Sequence, residues 1–220
     1  MSAQKEGPKR GPQQGSRVTR RVRIRARVFL NLPYDKKFEK LFLAYICGIQ
    51  ALRMDPRVTL EIPGGARRLD RIFALMQSCQ YSVHDLSRVE LDRHRPSTPR
   101  FNMPFELGLA VAWEKIHPEK HVWFVMESMN YRLAKSLSDL NGTDPYIHRG
   151  TIAGVFRELS NSFERTEAQP SVQQMWEIYR EVRQGIPAIL RQRGARSIFE
   201  ASAFRDISIA ASAAAARIVG

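Results

Sequence analysis

The sequence predicts an α/β fold of the flavodoxin type, a doubly wound parallel sheet of about five strands followed by C-terminal helices. Short apolar segments of strand character alternate along the chain with amphipathic helical segments, as they do when β-α-β units build a sheet. The chain has 220 residues, of which 43% are hydrophobic. This length suits a five-strand order better than a full dinucleotide-binding fold.

The first half of the chain supplies three strands and two helices. Segment 25–31 starts polar and becomes apolar, like a strand that enters a core, and apolar residues at helical spacing then mark a helix over 36–52. A second strand is predicted at 58–62, ahead of a Pro-Gly-Gly sequence that ends it. The apolar spacing then predicts a helix over 68–78 and a third strand over 81–85.

The middle of the chain continues the alternation. Residues 103–113 form a predicted helix in which Pro104 suits the first turn, where the missing N–H costs nothing. A strongly apolar strand is predicted at 121–126. A short helix near 131–138, a weak fifth strand near 144–148 and a helix over 151–165 complete the predicted domain.

The C-terminal region is predicted to be helical. Ser171 and Gln174 form a capping-box pattern at the start of a helix over 171–184, and Gly185 and Pro187 are predicted to end it. The alanine-rich stretch that follows supports no clear prediction. The chain therefore divides into a basic disordered arm, an α/β domain and a helical extension, at 1–24, 25–165 and 166–220.

Positive charge is concentrated at the N-terminus. The whole chain has a net charge of +13, and residues 1–27 hold nine Lys and Arg against Glu6 alone. A segment rich in Gly, Pro and Gln buries too little apolar surface to fold. Two interpretations stay open, a weak contact with nucleic-acid phosphates through counterion release or a solvated tail.

Several classes of protein are excluded by pattern. No apolar run reaches the ~20 residues that span a bilayer, and the N-terminus lacks the apolar core of a signal peptide, so we expect a cytoplasmic protein with no membrane partner. Cys47 and Cys79 predict neither a disulfide framework nor a zinc site. No glycine-rich phosphate loop and no metal-ligand spacing are present, so no cofactor and no metal are expected.

Ligands of open α/β sheets bind beyond the carboxyl ends of the strands, and two carboxylates fall there, Asp85 and Glu106. If Pro104 is the first helical residue, Glu106 lies in the first turn, where the helix dipole favours its ionised form. Such a carboxylate can attack a sugar anomeric carbon or stabilise an oxocarbenium ion. The alternative is that Glu106 only suits the helix dipole.

The other candidates surround these two carboxylates. Asp85 either binds a ribose hydroxyl or orients the glutamate, unless it is a turn or capping carboxylate. Asn102 either caps the third helix or binds a sugar hydroxyl. Asn31 and Tyr34 either border a base or ribose or are turn residues. Arg68 opens the second helix, where it either binds the substrate or pairs locally or with solvent.

Three segments, VFLNLPYD at 28–35, CQYSVHDLSR at 79–88 and PRFNMPFELGLA at 99–110, together resemble a bacterial family of poorly characterised proteins. That family is similar to the nucleoside 2-deoxyribosyltransferases and, more remotely, to TIR domains. The resemblance covers roughly residues 26–150. Its most specific part is the Phe-Glu-Leu-Gly-x-Ala run, which matches the deoxyribosyltransferase pattern around the nucleophile.

The resemblance implies roles for individual residues. Glu106 would be the nucleophile, Asp85 would match the acidic residue that helps to hold the nucleoside, and Asn31 to Tyr34 would match the pocket-lining first loop. Leu32 replaces the glycine of that loop. The insertion 89–100 carries Arg93, Arg95 and Arg100, which suit phosphates, so a nucleotide fits better than a free nucleoside.

The expected function is cleavage of an N-glycosidic bond, by hydrolysis or transfer, on a nucleoside, nucleotide or NAD-like substrate. Two alternatives stay open, a non-catalytic nucleotide-binding sensor module and a basic nucleic-acid-associated protein. The expected partner is a nucleotide or NAD-like small molecule, and a homo-oligomer is compatible with the sequence.

Overall fold

A computed structural model describes residues 25–62, 67–91, 95–140, 142–163 and 169–220. The described residues form five strands, β1 Arg27–Asn31, β2 Asp55–Val58, β3 Tyr81–Asp85, β4 Val122–Glu127 and β5 Tyr146–Ile147. All five are parallel and form one sheet in the order β2-β1-β3-β4-β5. This arrangement confirms the predicted α/β, flavodoxin-like fold. The predicted arm, 1–24, lies outside the described residues.

Seven α-helices surround the sheet in the described part of the chain. They are α1 Glu39–Ala51, α2 Arg68–Gln77, α3 Asn102–Ile116, α4 Arg132–Ser136, α5 Ile152–Ser162, α6 Val172–Arg193 and α7 Ala201–Ile218. No helix among the described residues is long and apolar enough to span a membrane.

The main core lies on the α1 face of the sheet. Side chains alternate along β1, so Val28 and Leu30 pack on this face while Phe29 packs on the other face with residues of α2 and α3. Eleven residues of α1 are buried. This helix is enclosed because the C-terminal helices α6 and α7 cover its outer side, as a third layer over the sheet.

The C-terminal helices differ from the prediction in length. Gly185 and Pro187 do not end α6, which continues to Arg193. Ile186, Ile189 and Leu190 pack against the core beyond the proline, and this burial offsets the ~3 kcal/mol that an interior proline costs a helix. The alanine-rich stretch forms α7, whose small side chains pack closely on the core.

The second strand begins three residues earlier and ends four residues earlier than predicted. β2 ends at Val58, and Thr59–Glu61 forms a 3₁₀ helix instead of continuing the strand. The Glu61 carboxylate accepts hydrogen bonds from the backbone N–H of Val58 at 2.9 Å and from Arg57 Nε at 2.9 Å. These local bonds favour the turn over the extended conformation that the apolar alternation indicates.

Replacement of Gly108 by alanine is expected to stabilise the protein by about 0.5–1 kcal/mol, because glycine is a poor helix former. Gly108 lies inside α3 and is exposed, and nothing is within 4 Å of an added Cβ. The urea unfolding midpoint measures the gain. Gly154→Ala is the contrasting variant, since its Cβ would lie 1.9 Å from the carbonyl oxygen of His148 and must lower the midpoint. A lower midpoint for Gly108→Ala would contradict the open environment of that position.

Candidate functional site

A cleft of about 790 Å³ opens at the carboxyl end of β1, between the loop that follows this strand and the first turns of α2 and α3. The position is the one expected for ligand sites of open α/β sheets. Six of the residues predicted for the site line this cleft, namely Asn31, Tyr34, Arg68, Arg100, Asn102 and Glu106.

Asp85 does not line this cleft, contrary to the predicted arrangement. Successive side chains of β3 point to opposite faces, so His84 faces α3 while Asp85 faces α1. The Asp85 carboxylate is fully buried and accepts hydrogen bonds from Tyr45 Oη at 2.7 Å and from the backbone N–H of Ser87 at 2.9 Å. It therefore has no access to a ligand in the Glu106 cleft.

His148 completes the surroundings of Asp85. Its Nε2 lies 3.1 Å from Asp85 Oδ2, and its Nδ1 accepts a hydrogen bond from the backbone N–H of Gly150 at 3.0 Å. An Nδ1 that accepts leaves the ring proton of a neutral imidazole on Nε2, facing the carboxylate. Burial by itself raises the pKa of Asp85, but the interactions with His148, Ser87 and Tyr45 outweigh burial and lower this pKa below its usual value.

Glu106 lies two residues further into its helix than predicted. Helix α3 begins at Asn102, before Pro104, so Glu106 is its fifth residue and lies outside the first turn. Its side chain is mostly buried, and Oε2 has no hydrogen-bond partner among the described residues. Burial raises the pKa of Glu106 to about 7, and the nearby Arg68 guanidinium limits the rise. Burial therefore opposes ionisation of Glu106, whereas the predicted first-turn position favours it.

Replacement of Arg68 by glutamine is expected to raise the pKa of Glu106 above its value of about 7, because the variant removes the positive charge that favours the carboxylate. Carbon-13 NMR of the Glu106 carboxyl measures this pKa. Since the folded-state pKa is raised, the protonated group stabilises the fold at low pH, and this stability is lost as pH rises through about 7. A carboxyl that titrates near 4.5 in both proteins would contradict the placement of these two groups.

Tyr34 and Arg100, two further residues predicted for the site, interact with neighbouring side chains. The Tyr34 hydroxyl lies 2.8 Å from Thr59 Oγ1, and burial raises the pKa of this tyrosine. Arg100 donates from Nη1 to Asp35 Oδ2 at 2.9 Å, and Arg88 contacts the same carboxylate at 3.4 Å. Because Asp35 accepts from both arginines, the charge of Arg100 is partly compensated.

Of the other two arginines predicted to suit a phosphate, the structure describes only Arg95. Arg95 is exposed and does not line the cleft, and Arg93 lies outside the described residues. The sequence analysis did not select Phe101 and Phe105, which line the cleft with 64% and 52% of their surfaces exposed. Their spacing of four residues, on either side of Pro104, was the available signal, since it places both on one side of the helix.

Comparisons with protein-family models, with curated proteins and with solved structures find no match to this chain. Among the residues that the structure describes, no group of three His, Cys, Asp or Glu side chains could hold a metal ion.

Proposed function

We propose that this protein cleaves the N-glycosidic bond of a nucleoside, nucleotide or NAD-like substrate in the Glu106 cleft. The observation that carries the proposal is the Glu106 carboxyl, with an oxygen that lacks a hydrogen-bond partner among the described residues and a pKa of about 7. A carboxyl in this state supplies a nucleophile or an acid–base group at neutral pH. The sequence resemblance around Phe105 to Ala110 supports the same chemistry.

The reaction needs one carboxylate. Ionised Glu106 attacks C1′ of the sugar, so a C1′–O bond forms while the C1′–N bond breaks and its electron pair leaves with the base. A nucleobase takes up a proton from water as it leaves, whereas the cationic nicotinamide of an NAD-like substrate leaves as the neutral base. Water or a second hydroxyl or amine acceptor then attacks C1′ with loss of a proton, the bond to Glu106 breaks, and the Glu106 carboxylate is released. Among the described residues that line the cleft, Glu106 is the one carboxylate, and Arg68 favours its ionised form.

The remaining cleft residues suit the other parts of such a substrate. Arg68 and Arg100 offer guanidinium groups to a phosphate. Phe101 and Phe105 offer exposed rings on which a base can stack. The cleft volume of about 790 Å³ lies within the range of sites for small ligands.

A second candidate function is a non-catalytic sensor that binds a nucleotide in the same cleft. The observation in its favour is the position of Asp85, which lies outside the cleft and leaves Glu106 without a second carboxylate among the described lining residues. A sensor needs the arginines and the aromatic rings but not the chemistry of Glu106.

Measurement of base release separates the two candidates. The full chain is incubated with NAD, with nucleoside monophosphates and with deoxynucleosides, the released base is quantified by chromatography, and binding of each compound is measured by calorimetry. Release of a base supports the enzyme. Binding without release supports the sensor, and neither binding nor release from any of these compounds overturns both.

A further inference from the structure

A chain of buried polar side chains runs from the floor of the Glu106 cleft into the protein, on the face of the sheet that α3 covers. Asn31 Nδ2 lies 2.9 Å from His84 Nδ1, and His84 Nε2 lies 2.9 Å from Ser82 Oγ. Ser82 Oγ lies 2.9 Å from His121 Nε2. All four side chains are buried, so each hydrogen must have an acceptor within the protein.

Both ends of this chain are backbone carbonyl oxygens, which only accept hydrogen bonds. At the inner end, His121 Nδ1 lies 2.9 Å from the carbonyl oxygen of Cys79, so this nitrogen carries the proton and His121 Nε2 accepts. Ser82 therefore donates to His121, and its oxygen accepts from His84 Nε2. The proton of His84 is thus on Nε2, and His84 Nδ1 is an acceptor.

At the outer end, Asn31 Nδ2 also donates to the carbonyl oxygen of Met103 at 2.9 Å, at the start of α3. The two hydrogens of the Asn31 amide thus go to Met103 and to His84. If the amide were flipped, Oδ1 would face the Met103 carbonyl oxygen and His84 Nδ1, which are both acceptors. The amide therefore keeps Nδ2 toward these two atoms. Burial keeps both histidines neutral, since it lowers the pKa of His84 to about 3 and lowers the pKa of His121.

The remaining polar atom of the Asn31 side chain is Oδ1. It makes no hydrogen bond to the described residues, and it is not among the fully buried atoms that lack a partner. Asn31 lines the cleft and both hydrogens of its amide have acceptors within the protein, so Oδ1 is the polar atom of this side chain that remains available to a ligand. Asn31 donates a hydrogen bond to Met103, which lies three residues before Glu106 on α3. Asn31 Oδ1 and the Glu106 carboxyl therefore belong to neighbouring parts of the cleft wall.

We propose that Asn31 Oδ1 is a permanently oriented hydrogen-bond acceptor that makes the cleft specific for a ligand with a hydroxyl donor beside Glu106. This inference rests on the proposed function. On the substrates of that function, the donor is the sugar hydroxyl carried by the carbon next to C1′ or by the carbon after it. Asn31 is then a specificity-determining residue, and Ser82, His84 and His121 are positioning residues that prevent its amide from turning.

The orientation of the chain is tested without any ligand. Nitrogen-15 NMR of the full-length protein is expected to show His84 protonated on Nε2 and His121 protonated on Nδ1, with both rings neutral between pH 6 and 8. The side-chain amide protons of Asn31 are expected to exchange much more slowly than those of Asn102, which is exposed on the same cleft. A proton on His84 Nδ1, or a charged His84 at neutral pH, would overturn the proposal.

The specificity is tested with adenosine 5′-monophosphate and its 2′-deoxy and 3′-deoxy analogues, by calorimetry in a Glu106→Gln background that blocks turnover. Loss of one of the two hydroxyls is expected to weaken binding about tenfold or more, because Oδ1 then loses its donor. Adding Asn31→Ala is expected to remove this difference, and adding Asn161→Ala, which removes an exposed amide on α5 that does not line the cleft, is expected to keep it. An equal loss in the Asn31→Ala protein would overturn the proposal.

Ser82→Ala provides a second variant in case Asn31→Ala fails to fold. It breaks the chain at a residue that does not line the cleft, and it is expected to reduce the hydroxyl preference because His84 is then free to change its tautomer. If no nucleotide binds the protein at all, the proposed function fails, and the NMR measurement alone decides whether Asn31 presents its acceptor to the cleft.

Discussion

Glu106→Gln is expected to lower the turnover of a nucleotide or NAD-like substrate at least ~10²-fold, since covalent or electrostatic catalysis at a water-poor site contributes several kcal/mol. The amide has the same size but lacks the charge and most of the nucleophilicity of the carboxylate. Substrate affinity is expected to stay within a few-fold of the wild-type value. Initial rates of base release together with calorimetric binding constants measure the two effects separately.

Glu114→Gln is the matched control for this variant. Glu114 lies on the same helix, eight residues further along α3, and does not line the cleft. Its replacement is expected to leave turnover unchanged. A Glu106→Gln protein that turns over substrate at the wild-type rate would end the enzyme hypothesis in this form.

The pH dependence of turnover reports how Glu106 works. A nucleophile acts in its ionised form, so turnover is expected to rise as pH increases through about 7, the pKa to which burial raises this carboxyl. Arg68→Gln is expected to move the rise to higher pH. Turnover that falls through the same pH range would instead assign Glu106 the role of a general acid.

Asp85→Ala is expected to destabilise the fold by about 3 kcal/mol or more, because it removes a buried carboxylate that neighbouring groups depend on as a hydrogen-bond acceptor. The substitution leaves Tyr45 Oη and the backbone N–H of Ser87 without their buried acceptor, and it removes the carboxylate that lies 3.1 Å from His148 Nε2. The urea unfolding midpoint and slope measure the loss. Asp139→Ala, at an exposed position, is the control and is expected to change stability by at most about 0.5 kcal/mol.

The pH dependence of stability gives an independent test of the same carboxylate. The pKa of Asp85 is lower in the folded protein than its usual value. Its ionised form therefore stabilises the fold above the unfolded-state pKa of about 3.9, and this contribution is lost as pH falls through the lowered folded-state pKa. The unfolding midpoint of the wild type is expected to fall more steeply below pH 4 than that of Asp85→Asn. Equal slopes would show that Asp85 is not ionised in the fold.

The sequence by itself determined the order of strands and helices, because the spacing of apolar side chains is a local property of the chain. β3 begins and ends where the pattern predicts, and α2 differs from its prediction by one residue. The rule that ligands bind beyond the carboxyl ends of parallel strands selected Asn31 and Glu106, which line the cleft, but it also selected Asp85, which does not.

Only the tertiary structure decided what these groups can do, because burial and hydrogen-bond partners come from residues that are distant in the chain. Arg68, on another helix, limits a pKa that burial raises at Glu106. Asp85 does not reach the cleft, because its carboxylate is enclosed by His148 and by Tyr45, which lies forty residues earlier in the chain. The amide of Asn31 is likewise oriented by His84, fifty-three residues along the chain. Side-chain spacing predicts which residues meet at a sheet edge, but the free energy of a charge or a hydrogen bond there depends on the groups that exclude water around it.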